Sequence, residues 1–198
     1  IFSNTVKPID DIEFAWKKGI QLFVSDSEEQ VRAQASKAPG SKLYVRLLVD
    51  NPYAGHPLGD KFGCSSEQAL QLLRLGKKLG LQPIGTHFHV GTQCYKAKAW
   101  VNPIRECAHI FKTMLNEGVR LTFFDIGGGY PVQYVEPKVD TIPEIFQLVT
   151  KTLHEELPDY PLDLIAEPGR GIAGTAAAIS TWVLLRTTRP TGEWLHLD

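Results

Sequence analysis

The chain has 198 residues, of which 43% are hydrophobic and 22% are charged, and its formal net charge is −1. This is the composition of a globular protein with one sizeable core. The near-zero charge offers no basic surface for nucleic acid, and no apolar run reaches the roughly 18 residues that a membrane helix requires. We therefore expect a cytoplasmic protein that binds neither nucleic acid nor membranes, with Cys64, Cys94 and Cys107 as reduced thiols.

Short apolar segments alternate with helical patterns along the first 170 residues. The predicted strands are Ile1–Asn4, Ile20–Val24, Leu43–Val49, Pro83–Val90, Leu121–Phe124 and Leu162–Ala166. The predicted helices lie around Ile12–Gly19, Glu28–Lys37, Ser65–Gly80, Trp100–Asn116 and Thr141–Leu157, and 50–63 reads as a long loop. Six strand–helix alternations in units of roughly 20 to 40 residues predict parallel βα units.

The pattern changes after Arg170. Alternating apolar residues within Ala176–Thr188 predict a strand, and Trp194–Leu197 predicts another behind a Pro-Thr-Gly turn. Two strands with no helix between them indicate an antiparallel part that begins near residue 172.

Three of the predicted parallel strands end in polar or glycine-rich loops. The loop Asp125–Pro131 contains Gly127, Gly128 and Gly129, and the other two ends are His89–Gln93 and Glu167–Arg170. A loop without Cβ atoms can turn sharply and aim its N–H groups at one anion. Because the carboxyl ends of parallel barrel strands share one face, we expect these loops to lie together.

Two histidines, His87 and His89, lie two residues apart and therefore on one face of a strand. One interpretation is a metal pair at the mouth of a barrel. We favour a core histidine beside a surface histidine, because zinc needs three or four ligands. Asp125 and Glu167 are candidates for further ligands, but no other histidine is well placed.

Two charged residues, Glu167 and Arg170, have two interpretations each, and a third, Arg46, has one. Glu167 either forms a salt bridge with Arg170 or accepts an N–H from a protonated pyridine ring. Arg170 is then free to clamp a phosphate with two hydrogen bonds. Arg46 lies within an apolar strand, where a buried guanidinium needs an acidic partner, so we expect a structural ion pair.

Four motifs occur in order: Pro57–Gly63, Phe88–Gln93, Asp125–Pro131 and Glu167–Arg170. With them the chain resembles the fold-type III pyridoxal-phosphate-dependent amino acid decarboxylases, and within that family the bacterial ornithine/lysine branch. The resemblance implies an α/β fold, an alanine-racemase-like (β/α)8 TIM barrel with about six of its eight βα units in residues 1–171. Residues 172–198 are expected to start a C-terminal β-domain.

The resemblance also implies a site and an activity. His89 is expected to stack on the cofactor ring, and Glu167 to keep the pyridine nitrogen protonated; these two are the expected catalytic residues. The expected cofactor-binding residues are His89, Thr92, Gly127, Gly128, Gly129, Glu167 and Arg170, and no metal is expected. The implied reaction is decarboxylation of ornithine or lysine to a diamine in polyamine biosynthesis, by a full-length homodimer.

One departure from the family concerns the Schiff-base lysine. Relatives carry it in a short motif on the first barrel strand, and no such motif exists here. Lys7 lies where relatives place a later strand end, so we do not assign it the role. We therefore expect a fragment without the first two barrel strands and without the residues that relatives contribute across a dimer interface. Alone, this chain is expected to be inactive.

Three alternatives stay open. Diaminopimelate decarboxylase is the nearest, although the Asp-Ile-Gly-Gly-Gly-Tyr-Pro sequence favours the ornithine/lysine branch. A catalytically silent relative that binds a regulatory protein is the second, and intact His89, Glu167 and Arg170 argue against it. A metal-dependent barrel hydrolase built on His87 and His89 is the third.

Overall fold

The computed structural model of the protein describes all 198 residues. The strands are β1 (Leu22–Ser25), β2 (Lys42–Arg46), β3 (Ala54–His56), β4 (Gln82–His87), β5 (Thr92–Cys94), β6 (Phe123–Asp125), β7 (Asp163–Ile165), β8 (Val183–Arg189) and β9 (Gly192–Leu197). The helices are α1 (Ile9–Lys17), α2 (Glu28–Lys37), α3 (Ser66–Lys78), α4 (Val101–Asn116), α5 (Ile142–Glu156) and α6 (Gly169–Ala173), with a 3-10 turn at Ala97–Trp100.

Five strands form one parallel sheet in the order β1-β2-β4-β6-β7. A helix follows each of the first four on the way to the next, which is the connection that parallel strands require. The predicted α/β fold, part of a (β/α)8 barrel, is thereby confirmed. None of the helices combines the length and apolar character needed to cross a membrane.

Helix starts are fixed by local side-chain chemistry. The Ser65 hydroxyl accepts a hydrogen bond from the Gln68 N–H, and the Gln68 side chain bonds back to the Ser65 N–H, forming a capping box at α3. Thr141 and Glu144 form the same arrangement at α5. Each box satisfies backbone donors that have no partner within the helix.

The two faces of the sheet have different roles. The outer face carries residues such as Leu43, Val45 and Phe124, which join the apolar faces of α3, α4 and α5 in a core cluster of 27 buried residues. The inner face carries Val24, Tyr44 and Phe123, which form a small separate cluster. The inner face lies towards the axis of the barrel, and its strand ends position the candidate site.

Several predicted elements differ from the structure. Ile1–Asn4 forms only a parallel bridge from Phe2 to Phe23, because this segment has one neighbouring strand and turns away after it. The strand expected from residue 176 begins at Val183. Neither α6 nor the antiparallel pair β3–β5 was predicted, and β3 lies within the expected loop 50–63. The predicted antiparallel segment near the end of the chain is the β8–β9 hairpin.

Candidate cofactor-binding site

A row of polar side chains crosses the inner face where the strands end. The parallel register pairs Arg46 with His87 and His87 with Asp125, so these residues occupy the same level on three adjacent strands. Period-two alternation then points all three to the same side of the sheet. His87 and Asp125 are each only 1% exposed, so the row is buried.

Glu167 completes this row from the loop after β7. Its Oε1 accepts a 2.7 Å hydrogen bond from the Ser3 hydroxyl, although 164 positions separate the two residues. Its backbone N–H donates to the Gly127 carbonyl over 2.9 Å. The sheet is therefore curved enough to bring its first and last segments together around Glu167.

His87 lies between two carboxylates. Its Nδ1 is 3.6 Å from Asp125 Oδ2, and its Nε2 is 3.9 Å from Glu167 Oε2. Burial, helped by the nearby positive charge of Arg46, lowers the pKa of His87 well below its usual value, so the ring is neutral. Burial, followed by the charge of Glu167, raises the pKa of Asp125 to about 7.

The glycine loop lies directly against His89 and Glu167. A Cβ atom at Gly128 would come within 2.8 Å of both the Glu167 carbonyl oxygen and His89 Nε2. Gly127 and Gly129 have φ of +64° and +104°, which side chains rarely adopt. The loop, called the glycine cradle below, therefore packs too closely on the neighbouring strand ends for any side chain, and its backbone has no Cβ atoms that would keep a phosphate from its N–H groups. These residues fit the phosphate of pyridoxal phosphate.

His89 has the properties of a stacking group. Its Nδ1 accepts a 3.0 Å hydrogen bond from the Gly91 N–H, which fixes the ring. Burial lowers its pKa to about 4, so the imidazole is neutral. A fixed, neutral and flat ring beside the cradle is suited to lie against an aromatic ligand.

Two predicted site residues lie further out. Arg170 is exposed on α6, and its Nη1 donates a 3.3 Å hydrogen bond to the Tyr134 hydroxyl. Thr92 is half-buried in β5, where it pairs with His56 of β3. The structure therefore brings His89, the glycine loop and Glu167 into direct contact, whereas no side-chain hydrogen bond joins Arg170 or Thr92 to these residues.

The predicted ion pair of Arg46 is wrong. No carboxylate lies within salt-bridge distance of its guanidinium, which instead lies 5.2 Å from the centre of the Phe62 ring as a cation–π pair. Cation–π contact replaces the acidic partner that a half-buried arginine was expected to need. Glu167 likewise forms no salt bridge with Arg170, because its carboxylate is turned towards Ser3 and His87.

Two residues of the candidate site, Ser3 and Tyr44, were not predicted from the sequence. Ser3 carries no local signal, since its contact with Glu167 depends entirely on the curvature of the sheet. Tyr44 lies beside His87, with ring centres 6.3 Å apart and planes within 11°. Tyr44 lies two residues before Arg46 on β2, so the alternation of side chains along a strand predicts that both point to the inner face.

One cavity of the structure lies away from this site. Its volume is about 780 Å³, and it lies between the segment after β2 and the starts of α3 and α4. None of the predicted site residues lines it, so it does not bear on the cofactor site.

The sequence matches the family "pyridoxal-dependent decarboxylase, pyridoxal binding domain" over residues 1–174. The chain therefore belongs to this family of pyridoxal-dependent decarboxylases, and its cofactor is pyridoxal 5′-phosphate. This confirms the resemblance and the cofactor predicted from the sequence.

Individual relatives include both enzymes and a protein named as an inhibitor. The chain is 31% identical over 198 residues to the lysine/ornithine decarboxylase of Selenomonas ruminantium, covering all of this chain and 50% of that protein. It is 28% identical to antizyme inhibitor 2 of Xenopus laevis, covering 94% of this chain and 41% of that protein. The chain thus spans about half the length of the curated relatives it matches.

A solved structure shows the same architecture. The lysine/ornithine decarboxylase of Vibrio vulnificus, complexed with putrescine, superposes with a TM-score of 0.79 at 30% identity, covering 98% of this chain and 51% of that one. The predicted barrel fold therefore rests on the arrangement of the strands as well as on the motifs.

Proposed function

We propose that the full-length protein decarboxylates a basic amino acid, ornithine or lysine, to the corresponding diamine with pyridoxal phosphate as cofactor. The observation that carries the proposal is the contact of the glycine cradle with both His89 and Glu167 at one end of the sheet. Family membership and the named activities of the relatives support the same reaction class.

The phosphate is assigned to the glycine loop. The backbone N–H groups of Gly128 and Gly129 would bind its oxygens, whereas the Gly127 N–H donates to Asp125 Oδ1, so Gly127 would shape the loop rather than donate to the phosphate. The Arg170 guanidinium would add a positive charge from α6, and the Thr92 hydroxyl a further donor. Phosphate recognition by backbone N–H groups together with arginine is a common arrangement in proteins.

The ring of the cofactor is assigned to His89 and Glu167. His89 would stack on its face, and the Glu167 carboxylate would accept the hydrogen bond of the protonated pyridine nitrogen. When bound, pyridoxal phosphate supplies an electron sink for the charge that develops on the α-carbon as CO2 leaves. Glu167 favours this role by keeping the pyridine nitrogen charged, because a nearby negative charge stabilises a protonated group.

The covalent lysine is not assigned to this chain. Lys7 is buried, and its Nζ donates to the backbone carbonyl oxygens of Asn4, Thr5 and Val24. An amine held by three carbonyls is not available to the cofactor. We therefore expect the 198-residue chain alone to be inactive, and the homodimeric state, cytoplasmic location and role in polyamine synthesis stay predictions for the full-length protein.

The assay is decarboxylation by the full-length protein with pyridoxal phosphate. Ornithine, lysine, arginine and diaminopimelate are supplied separately, and released CO2 and the amine product are measured. We expect turnover with ornithine or lysine and a loss of about 10- to 100-fold in Glu167→Gln, the range of one hydrogen bond to a charged group. No turnover with any basic amino acid would contradict the proposal. A preference for diaminopimelate would instead indicate a diaminopimelate decarboxylase.

A catalytically silent regulatory protein is the second candidate. It is favoured by the similarity to antizyme inhibitor 2 along 94% of the chain. This candidate predicts no CO2 release from any amino acid and no dependence on Glu167. The same assay therefore separates the two functions.

A further inference from the structure

His87 is buried, polar and without a hydrogen-bond partner at either ring nitrogen. The core position favoured for one of the two histidines accounts for the burial of His87, but it does not account for its two unpaired nitrogens. Asp125 Oδ2 lies 3.6 Å from Nδ1 and Glu167 Oε2 lies 3.9 Å from Nε2. A buried imidazole in this position needs both of them, because unsatisfied buried polar atoms are costly.

The second oxygen of each of these two carboxylates already has a hydrogen-bond donor. Asp125 Oδ1 accepts a 2.9 Å hydrogen bond from the Gly127 N–H, which leaves Oδ2 to face His87. Glu167 Oε1 accepts from Ser3, which leaves Oε2 to face His87. Each carboxylate therefore presents its one free oxygen to a different nitrogen of the same ring.

One proton arrangement gives both ring nitrogens of His87 and the carboxylate oxygens that face them a partner, provided that the 3.6 and 3.9 Å separations close to hydrogen-bond distance. A protonated Asp125 donates from Oδ2 to Nδ1, and the neutral ring donates from Nε2 to Glu167 Oε2. Glu167 is then the single negative charge, with two donors on it. One donor atom from each of His87, Asp125 and Glu167 lies within 4.8 Å of the other two, so a bound transition metal is the alternative to this proton arrangement.

We propose that His87 is a positioning residue that links Asp125 to Glu167, and that through it a protonated Asp125 holds the Glu167 carboxylate ionised and aimed at the pyridine nitrogen of the cofactor. This inference rests on the proposed function, since it concerns the same site. Its chemistry requires no group beyond the three side chains and Ser3.

The link depends on pH. Above about pH 7, where Asp125 loses its proton, the ring hydrogen is drawn to Nδ1 and Glu167 loses its donor. The other titratable or charged groups around His87 are Arg46 on β2, Tyr44 beside the ring and His89 beyond β4. Arg46 stays charged, while His89 and Tyr44 stay neutral between pH 6.5 and 8.5, so Asp125 alone changes charge in that range.

The test is cofactor affinity as a function of pH, in the full-length protein freed of cofactor. Pyridoxal phosphate is titrated at pH 6.5 and 8.5 into wild type, His87→Phe, Asp125→Asn and the control His109→Phe, which changes an exposed histidine on α4. All curves are read relative to the control, so titration of the cofactor itself cancels. The absorption spectrum of the bound cofactor reports protonation of its ring nitrogen.

Three results are expected. His87→Phe should bind about 10-fold more weakly at pH 6.5, the equivalent of one hydrogen bond to a charged group. Wild type should lose about 10-fold in affinity between pH 6.5 and 8.5. Asp125→Asn, whose amide donates to Nδ1 at every pH, should lose far less, and its bound cofactor should keep a protonated ring nitrogen.

Parallel pH profiles for wild type and Asp125→Asn would overturn the proposal, as would unchanged affinity in a folded His87→Phe. If His87→Phe fails to fold, the proposal is still tested by comparing the pH dependence of cofactor affinity between wild type and Asp125→Asn. Wild type that binds no cofactor at either pH would defeat the proposed function instead. In that case ¹⁵N NMR of the cofactor-free protein decides, with a proton on Nε2 at pH 6.5 expected and a hydrogen-free Nε2 contradicting the link. A stoichiometric metal that needs His87 would also overturn it.

Discussion

Replacing Asp125 by asparagine should change how stability depends on pH. Burial beside Glu167 raises the pKa of the Asp125 carboxyl to about 7, whereas a carboxyl in an unfolded chain titrates near 3.9. Between these values the folded state binds more protons than the unfolded state. Linkage then requires the free energy of unfolding to fall as pH rises through this window.

The size of the effect follows from the two pKa values. At about 1.4 kcal/mol for each pKa unit, the buried carboxyl costs about 1.5 kcal/mol at pH 5 and about 4 kcal/mol at pH 8. Asparagine has nearly the same shape and cannot ionise, so it is free of this cost. The stability of Asp125→Asn relative to wild type should therefore increase by about 2.5 kcal/mol between pH 5 and pH 8.

Urea unfolding of the full-length, cofactor-free protein at both pH values measures this difference. Any constant effect of the amide, such as a changed contact with His87, cancels when the two pH values are subtracted. Asp163→Asn, an exposed aspartate at the start of β7, is the matched control and should show little change. If the difference in the free energy of unfolding between Asp125→Asn and wild type stays constant from pH 5 to pH 8, the pKa of Asp125 is not raised in the folded protein.

Substitutions at three residues of the cofactor site, Gly128, His89 and Arg170, are tested by titration with pyridoxal phosphate. Gly128→Ala should weaken binding by about 10-fold or more because its Cβ meets the Glu167 carbonyl, whereas Gly118→Ala, which has φ of +75° but open space, should lower stability without changing affinity. His89→Phe should retain more affinity than His89→Ala, because phenylalanine keeps a stacking face; equal losses would contradict stacking. Arg170→Met should weaken pyridoxal phosphate by about 10-fold and leave phosphate-free pyridoxal unchanged, and an equal loss for both would remove Arg170 from the phosphate site.

Local patterns predicted most of the fold. The helix α2 and the end of α4 at Asn116 lie where capping residues and apolar spacing predicted them, and the five sheet strands overlap the predicted segments. The short helix α6 and the β3–β5 pair were not predicted. Five residues are too few for a helical period, and strands of three residues are too short for an alternating pattern.

The candidate site also has residues that could be predicted from the sequence and residues that could not. The glycine loop, His89 and Glu167 could be predicted because each ends a recognisable strand, and parallel strands end on one face. The contact of Ser3 with Glu167 could not, since it depends on how far the sheet curves between its first and last segments. One core and one surface histidine were favoured over a metal pair because no further histidine was well placed, and only the structure shows that Asp125 and Glu167 flank the ring of His87.

We infer that the loop Gly127–Gly129 and Glu167 bind opposite ends of one pyridoxal phosphate molecule. A crystal structure of the full-length protein with the cofactor tests it directly. We predict phosphate oxygens about 3 Å from the backbone N–H groups of the loop, with the pyridine nitrogen at hydrogen-bond distance from the Glu167 carboxylate. A phosphate bound away from the loop, or a pyridine nitrogen that faces a group other than Glu167, would contradict the claim.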